Sequence, residues 1–225
     1  RSSGRNYPCQ AAHRGGSMKT DFTRAGLSAE GFDAKESTRR MALEHAQESP
    51  ILCSRTTGKL RFGWLELAGK GAPTLDLLLR EGAITPDGPI FHGVDLDTEV
   101  VAGCEVLYAD APTEFRQGRL ETLLLQEDLF RDVGVLVFDS EYVVRRKNLE
   151  ALLGPVAAFA RRQQARLGDF LLVVNICPGR SSAEDFESYR ETLSRLLGID
   201  LQAGHFHRYH SGLMGMAWLA VRLGF

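Results

Sequence analysis

Three short stretches carry residue types that could do chemistry together. Residues 66–72, ELAGKGA, set Gly69 and Gly71 two positions apart, behind Glu66 and Ala68 and ahead of Pro73. Glycines in such a loop let backbone approach a ligand closely, and the helix that follows offers free N–H groups. Residues 90–97, IFHGVDLD, form an apolar run that ends on Asp95, with Leu96 and Asp97 behind it. An acid ending a buried strand is costly without a partner, and a sugar's hydroxyls would be one. Residues 133–139, VGVLVFD, end on Asp139, and Glu141 and Tyr142 follow as candidates for substrate contact or proton removal. A nucleoside lying across the three would meet backbone at Gly69 and Gly71 and give its ribose hydroxyls to Asp95. Its reactive end would then face Asp139. Bland readings stand beside these: Glu66 capping the next helix or pairing with Lys70, and Asp97 capping the helix after it.

The elements around these stretches decide whether they can meet. A helical pattern over 32–47 stops before Pro50. Residues 58–67 read as a strand. Pro73 suits a helix start, Leu75, Leu78 and Leu79 give that helix an apolar stripe, and Gly82 suits its end. Residues 90–97 give the second strand, 98–107 a helix, 113–116 a short third strand and 117–124 a loop. Residues 133–139 give a fourth strand, and 145–167 a helix that Gly154-Pro155 is expected to break or kink. Residues 170–176 are an apolar fifth strand. Ser181 with Glu184 resembles a capping box for a helix closed by Gly198. Two last strands, 203–210 and 214–223, sit close enough to pair as a hairpin. Apolar strands alternating with amphipathic helices predict an α/β fold: a doubly wound, seven-stranded, mainly parallel sheet with helices on both faces and a C-terminal antiparallel hairpin. Ligands on such a sheet bind beyond the carboxyl ends of the strands, where Gly69, Asp95 and Asp139 all fall.

Composition narrows the class without naming it. The 225 residues are 44% hydrophobic and 25% charged, with a formal net charge of −2, which gives no global pull toward nucleic acid or anionic membrane. No apolar run approaches the ~20 residues a membrane span needs. Four cysteines without a paired spacing predict buried thiols in a reducing, cytoplasmic setting. Residues 1–17 lack periodicity and read as a disordered leader, 18–57 as an N-terminal helical extension, and 58–225 as the ligand-binding domain.

The ordered set resembles the class I, Rossmann-like S-adenosylmethionine-dependent methyltransferases. In that family a glycine-rich loop follows strand one, as ELAGKGA does, and strand two ends in a ribose-holding acid, as Gly93-Val94-Asp95 does. Strand four ends beside the methyl group, which matches 138–142, FDSEY, and the sheet closes with an antiparallel pair. The resemblance implies S-adenosylmethionine as cofactor, held by Glu66, Ala68, Gly69, Gly71, Asp95 and Leu96. Arg119 and Leu120 occupy the adenine-side position after strand three. It implies Asp139, Glu141 and Tyr142 at the transfer site, and no resident metal.

The methyl acceptor stays open among small molecules, proteins and RNA. DNA is disfavoured, because DSEY stands where amino-methylating DNA enzymes carry a Pro-Pro tetrapeptide. An NAD(P)-dependent oxidoreductase is an alternative, weakened by the missing third glycine of GxGxxG. A non-catalytic nucleoside-binding protein on the same fold is another. His205, His207 and His210 read as a solvated or partly buried edge. The basic residues Arg145, Arg146, Lys147, Arg161, Arg162 and Arg166 read as a solvated helix face.

Overall fold

A computed structural model describes residues 29–143, 148–179, 183–201, 206–211 and 214–224. The chain begins with helix α1 (Ala29–Gln47) and reaches strand β1 (Gly63–Leu67), helix α2 (Pro73–Arg80), β2 (Phe91–Asp95) and α3 (Thr98–Leu107). Then come β3 (Thr113–Gln117), the short α4 (Leu120–Leu123), β4 (Val133–Val143), α5 (Leu149–Leu167), β5 (Asp169–Gly179), α6 (Ala183–Leu197), β6 (Phe206–Ser211) and β7 (Met214–Gly224).

The strands lie in the order β3-β2-β1-β4-β5-β7-β6 in one seven-stranded sheet. β1 to β5 run parallel to one another, and β7 runs antiparallel to both β5 and β6. The chain therefore winds outward from β1 to β3, then returns to lay β4 on the other side of β1. That reversal opens a crevice above the carboxyl ends of β1 and β4.

Alternation along the strands divides the interior in two. Leu65, Val94, Leu136, Leu172 and Val174 face one core, shared with Leu153, Val156 and Phe159 of α5 and Leu193 of α6. Trp64, Phe91, Val135, Leu171 and Val173 face the other, shared with Ala42, Leu43 and Ala46 of α1, Leu75 and Leu78 of α2, and Cys104 of α3. Both sides of every central strand are buried, which is why these strands read as unbroken apolar runs.

Several boundaries differ from the sequence reading. Residues 58–62 precede the strand: Leu60 bridges Cys53 and its N–H donates to Ala83 O, so this stretch pairs locally and not with β2 or β4. The loop expected after β3 folds into α4. Pro155 does not end its helix, since α5 runs through it to Leu167. Its ring removes one backbone donor, while Leu153, Val156 and Ala157 on either side stay buried in the core. Arg145, Arg146, Lys147 and Ser181 of the proposed capping box lie outside the described residues. Arg162 and Arg166 do not form a merely solvated face. Arg162 donates to Leu124 O at 2.7 Å and its guanidinium lies 5.7 Å from the Phe159 ring centre, while Arg166 donates to Arg131 O at 3.3 Å. They brace the 124–131 connection against α5.

Candidate active site at the β1–β4 crevice

The register aligns the polar strand ends. Glu66 pairs with Gly93 and Val137, Asp95 with Gln117, and Asp139 with Asn175. By the same alternation that puts Trp64, Phe91, Val135 and Val173 on one face, Glu66, Asp95, Asp139 and Asn175 all lie on the face covered by α1, α2 and α3. Asn175 Nδ2 donates to Asp139 Oδ1 at 3.1 Å, which ties the acid to β5 where the apolar run of β4 closes; β4 itself runs on to Val143, past the end expected at Asp139. Asn175 went unassigned in the sequence, although a lone amide closing the run FLLVVN was a usable signal.

The loop after β1 is left-handed at three residues. Gly69, Gly71 and Ala72 have φ of 58°, 79° and 39°. A β-carbon built on Gly69 or Gly71 meets no atom within 4 Å, so the backbone there is open to a ligand. Ala68 is buried, and its N–H donates to Val94 O, which ties the loop to β2. From below, α3 holds the loop. Cys104 Sγ donates to Gly69 O at 3.7 Å and the Tyr108 hydroxyl to Gly71 O at 2.9 Å. Burial raises the Cys104 thiol pKa, partly offset by the amides of Gly71 and Ala72 that face it. Burial also pushes the Tyr108 phenol up to about 12, with Asp76 and Cys104 adding to the effect. Both groups stay protonated and donate. The sequence marked Cys104 as a buried thiol but gave no sign of this bracing.

Glu66 takes neither of its bland roles. The N-cap of α2 is Ala72, with no side-chain cap, and Glu66 is only 5% exposed. It accepts from Trp64 Nε1 at 3.0 Å and from the Thr74 hydroxyl. Burial pushes its pKa up to about 7, even though Arg39 of α1, Thr74 and Trp64 all pull it down; the nearby Asp139 adds to the rise. Glu66 and Asp139 thus share one electrostatic neighbourhood at the switch point. Trp64, Thr74 and Arg39 were not candidates from sequence.

Asp95 is half-buried, and its Oδ1 accepts from Asp97 N–H at 2.9 Å. Asp97 Oδ1 accepts from Glu99 N–H at 2.8 Å and caps α3, as expected. Leu96 is 48% exposed beside Asp95, an apolar surface at the mouth of the crevice. Past β3, Arg119 is exposed and lies 3.8 Å from Glu121, whereas Leu120 turns its side chain into the core. Only the Leu120 backbone is left for a ligand. Glu141 and Tyr142 continue β4 beyond Asp139, but their side chains lie outside the described residues. So does His205, and for His207 and His210 only the backbone of β6 is described. A groove of about 380 Å³ lies elsewhere, between the end of α3 and the start of β3, and touches none of these candidates.

The sheet thus carries what the resemblance implied: a glycine loop after β1, acids ending β2 and closing the apolar run of β4, and a final antiparallel pair. No protein-family model matches the chain, and no curated protein matches it. Solved structures similar to it include a putative O-methyltransferase from Klebsiella pneumoniae, 15% identical, with TM-score 0.48 over 89% of this chain and 86% of that one. Another is an S-adenosylmethionine-dependent O-methyltransferase from Thermotoga maritima, 10% identical, with TM-score 0.47 over 80% of this chain and 64% of that one. The bifunctional kinase-methyltransferase WbdD is 16% identical, with TM-score 0.47 over 80% of this chain. The chain spans only 38% of WbdD. Among the described residues no helix is long and apolar enough to cross a membrane, and no group of three His, Cys, Asp or Glu is placed to hold a metal.

Proposed function

We propose that the chain is an S-adenosylmethionine-dependent methyltransferase, working in the cytoplasm on an acceptor that is a small molecule, a protein or RNA. The observation that carries this reading is the meeting, at one switch point, of an open left-handed glycine loop with Asp95 at the end of the neighbouring strand. The backbone at Ala68, Gly69 and Gly71 would face the amino-acid end of the cofactor. The described hydrogen bonds of Asp95 engage Oδ1 alone, so the carboxylate has capacity for ribose hydroxyls. Leu96, with the Arg119-Leu120 backbone, would flank the base.

Bound there, the cofactor supplies a sulfonium-activated methyl group for in-line displacement by the acceptor's nucleophile. The chain's part is to position the two reactants and exclude water. Asp139, braced by Asn175, stands where the acceptor would approach, with Glu141 and Tyr142 next along β4 as candidates to orient it or take its proton. The segment 18–57 would act as an extension whose helix α1 covers one face of the binding domain.

Calorimetric titration with S-adenosylmethionine and S-adenosylhomocysteine, with NADH and NADPH as controls, tests this. Micromolar binding of the two sulfur nucleosides, lost or weakened at least tenfold in Asp95→Ala, is expected. Failure of folded protein to bind either sulfur nucleoside overturns it, and preference for a nicotinamide would point to an oxidoreductase.

A further inference from the structure

Strand β3 is an edge of the sheet, and among the described residues only β2 pairs with it. Phe91 N–H donates to Pro112 O and Gly118 N–H to Asp95 O, each at 2.9 Å. In a parallel ladder, alternate residues of a strand bond one neighbour. Pro112, Glu114, Arg116 and Gly118 therefore turn their backbone groups to β2, and Thr113, Phe115 and Gln117 turn theirs outward. The groove of about 380 Å³ runs along this edge, lined by Glu105 and Tyr108 of α3 and by Thr113, Phe115 and Arg116. Unpaired edge backbone is a template for a further strand.

The side chains select which strand. Thr113–Gln117 reads TEFRQ. Laid antiparallel on a second copy of itself and centred on Phe115, Thr113 stands opposite Gln117 of the second copy, and Glu114 opposite Arg116 of the second copy. That register also sets each outward-facing residue against an outward-facing one, so backbone and charge agree on it. Glu114 and Arg116 then fall at the non-hydrogen-bonded pairs, where side chains stand closest. Opposite charges in such a pair stabilise a sheet and like charges weaken it.

Within one chain the same two residues are incompletely satisfied. Arg116 Nη2 donates to Glu114 Oε2 at 2.8 Å, and His92 Nδ1 lies 3.5 Å from the same oxygen. Among the described residues Arg116 Nε is shielded from solvent without an acceptor, and the contacts of Glu114 all engage Oε2. One donor and one acceptor are thus left over, and a guanidinium fork can take a second carboxylate. The other edge strand, β6, reads FHRYHS and has no acid to set against its arginine.

We propose that the chain self-associates as a twofold dimer through β3, with Glu114 and Arg116 of each copy paired to Arg116 and Glu114 of the other. The two sheets become one, and α3 of each copy flanks the junction on the same face. The proposal does not depend on the methyltransferase reading.

Sedimentation of the full chain over a dilution series tests it. The wild-type chain is expected to show a monomer–dimer equilibrium. Glu114→Arg alone and Arg116→Glu alone set like charges opposite each other and should weaken association roughly tenfold or more. The double variant, Glu114→Arg with Arg116→Glu, restores opposite charges and should recover most of it. Thr113→Pro removes an outward N–H and spares the ladder to β2, so it should also give monomer. Thermal unfolding of each variant checks that its fold is kept. A wild-type chain that stays monomeric overturns the proposal and leaves the edge to a strand of another protein. A dimer that survives Thr113→Pro, or a double variant no better than the singles, overturns it in favour of another face.

Discussion

The hydroxyl of Tyr108, at the C-cap of α3, donates to the carbonyl oxygen of Gly71 at 2.9 Å. One turn earlier Cys104 reaches Gly69, and at the start of the same helix Asp97 caps it and donates its N–H to Asp95. One helix thus links the glycine loop to the acid that ends β2.

Tyr108→Phe removes that donor and leaves the ring stacked near Phe115. The expected cost is about 1 kcal/mol of folding stability, the net worth of one hydrogen bond. The larger effect should be on the loop, with S-adenosylhomocysteine binding several-fold weaker. Urea unfolding and calorimetry on the same preparation separate the two. Unchanged affinity would mean that the loop holds its left-handed shape without α3.

Gly93 is a glycine for a packing reason. A β-carbon there would stand 2.4 Å from the Phe115 ring and 3.1 Å from the Ala68 methyl. Gly93→Ala should cost roughly 1–3 kcal/mol by overpacking. Pairing it with Phe115→Ala should cost less than the sum of the two single changes, because the second opens the space the first needs. Strict additivity in a denaturation series would show that the backbone shifts instead.

Glu66 imposes a pH dependence on stability. Its pKa is pushed from the ordinary 4.5 up to about 7, first by burial. Between those values the folded protein holds a proton that the unfolded chain has released, and above the upper value both are ionised. Stability therefore falls as pH rises through this window and levels off above it, by about 3 kcal/mol at most. Glu66→Gln keeps an acceptor for Trp64 and Thr74 and should flatten the slope. Urea midpoints from pH 5 to 8 check this; an unchanged slope in the variant would assign the effect to another group.

Ser49, just past α1, is tied to the base of the sheet. Its hydroxyl donates to buried Asp169 at the start of β5 and accepts from Ile51 and Leu52 N–H. Arg222 lies 3.6 Å from the same carboxylate, and Phe170 N–H donates to it. Ser49→Ala leaves Asp169 with one donor fewer in a buried setting, at an expected ~1–3 kcal/mol. Hydrogen exchange should show α1 amides exchanging faster, and an unaffected α1 would mean that its apolar face alone holds it.

The sequence by itself determined what depends on neighbours along the chain. The apolar strands, Asp97 as a cap, the glycines after β1, the acid end at Asp95 and the acid that closes the apolar run at Asp139 are local patterns with periods of two or about 3.6. They were legible because burial on both sides of a central strand keeps its run largely apolar, so that an acid at the end of such a run stands out. Tertiary structure alone decided which polar groups meet. The charge of Arg39 acts on Glu66 because α1 docks beside α2. Tyr108 reaches Gly71 because α3 crosses beneath the loop. Residues 58–62 leave the sheet because Cys53 and Ala83 offer them partners, and α5 runs through Pro155 because its flanks are buried. Each of these joins residues far apart in the chain, where the energy lies in desolvation and pairing between elements and no local periodicity records it.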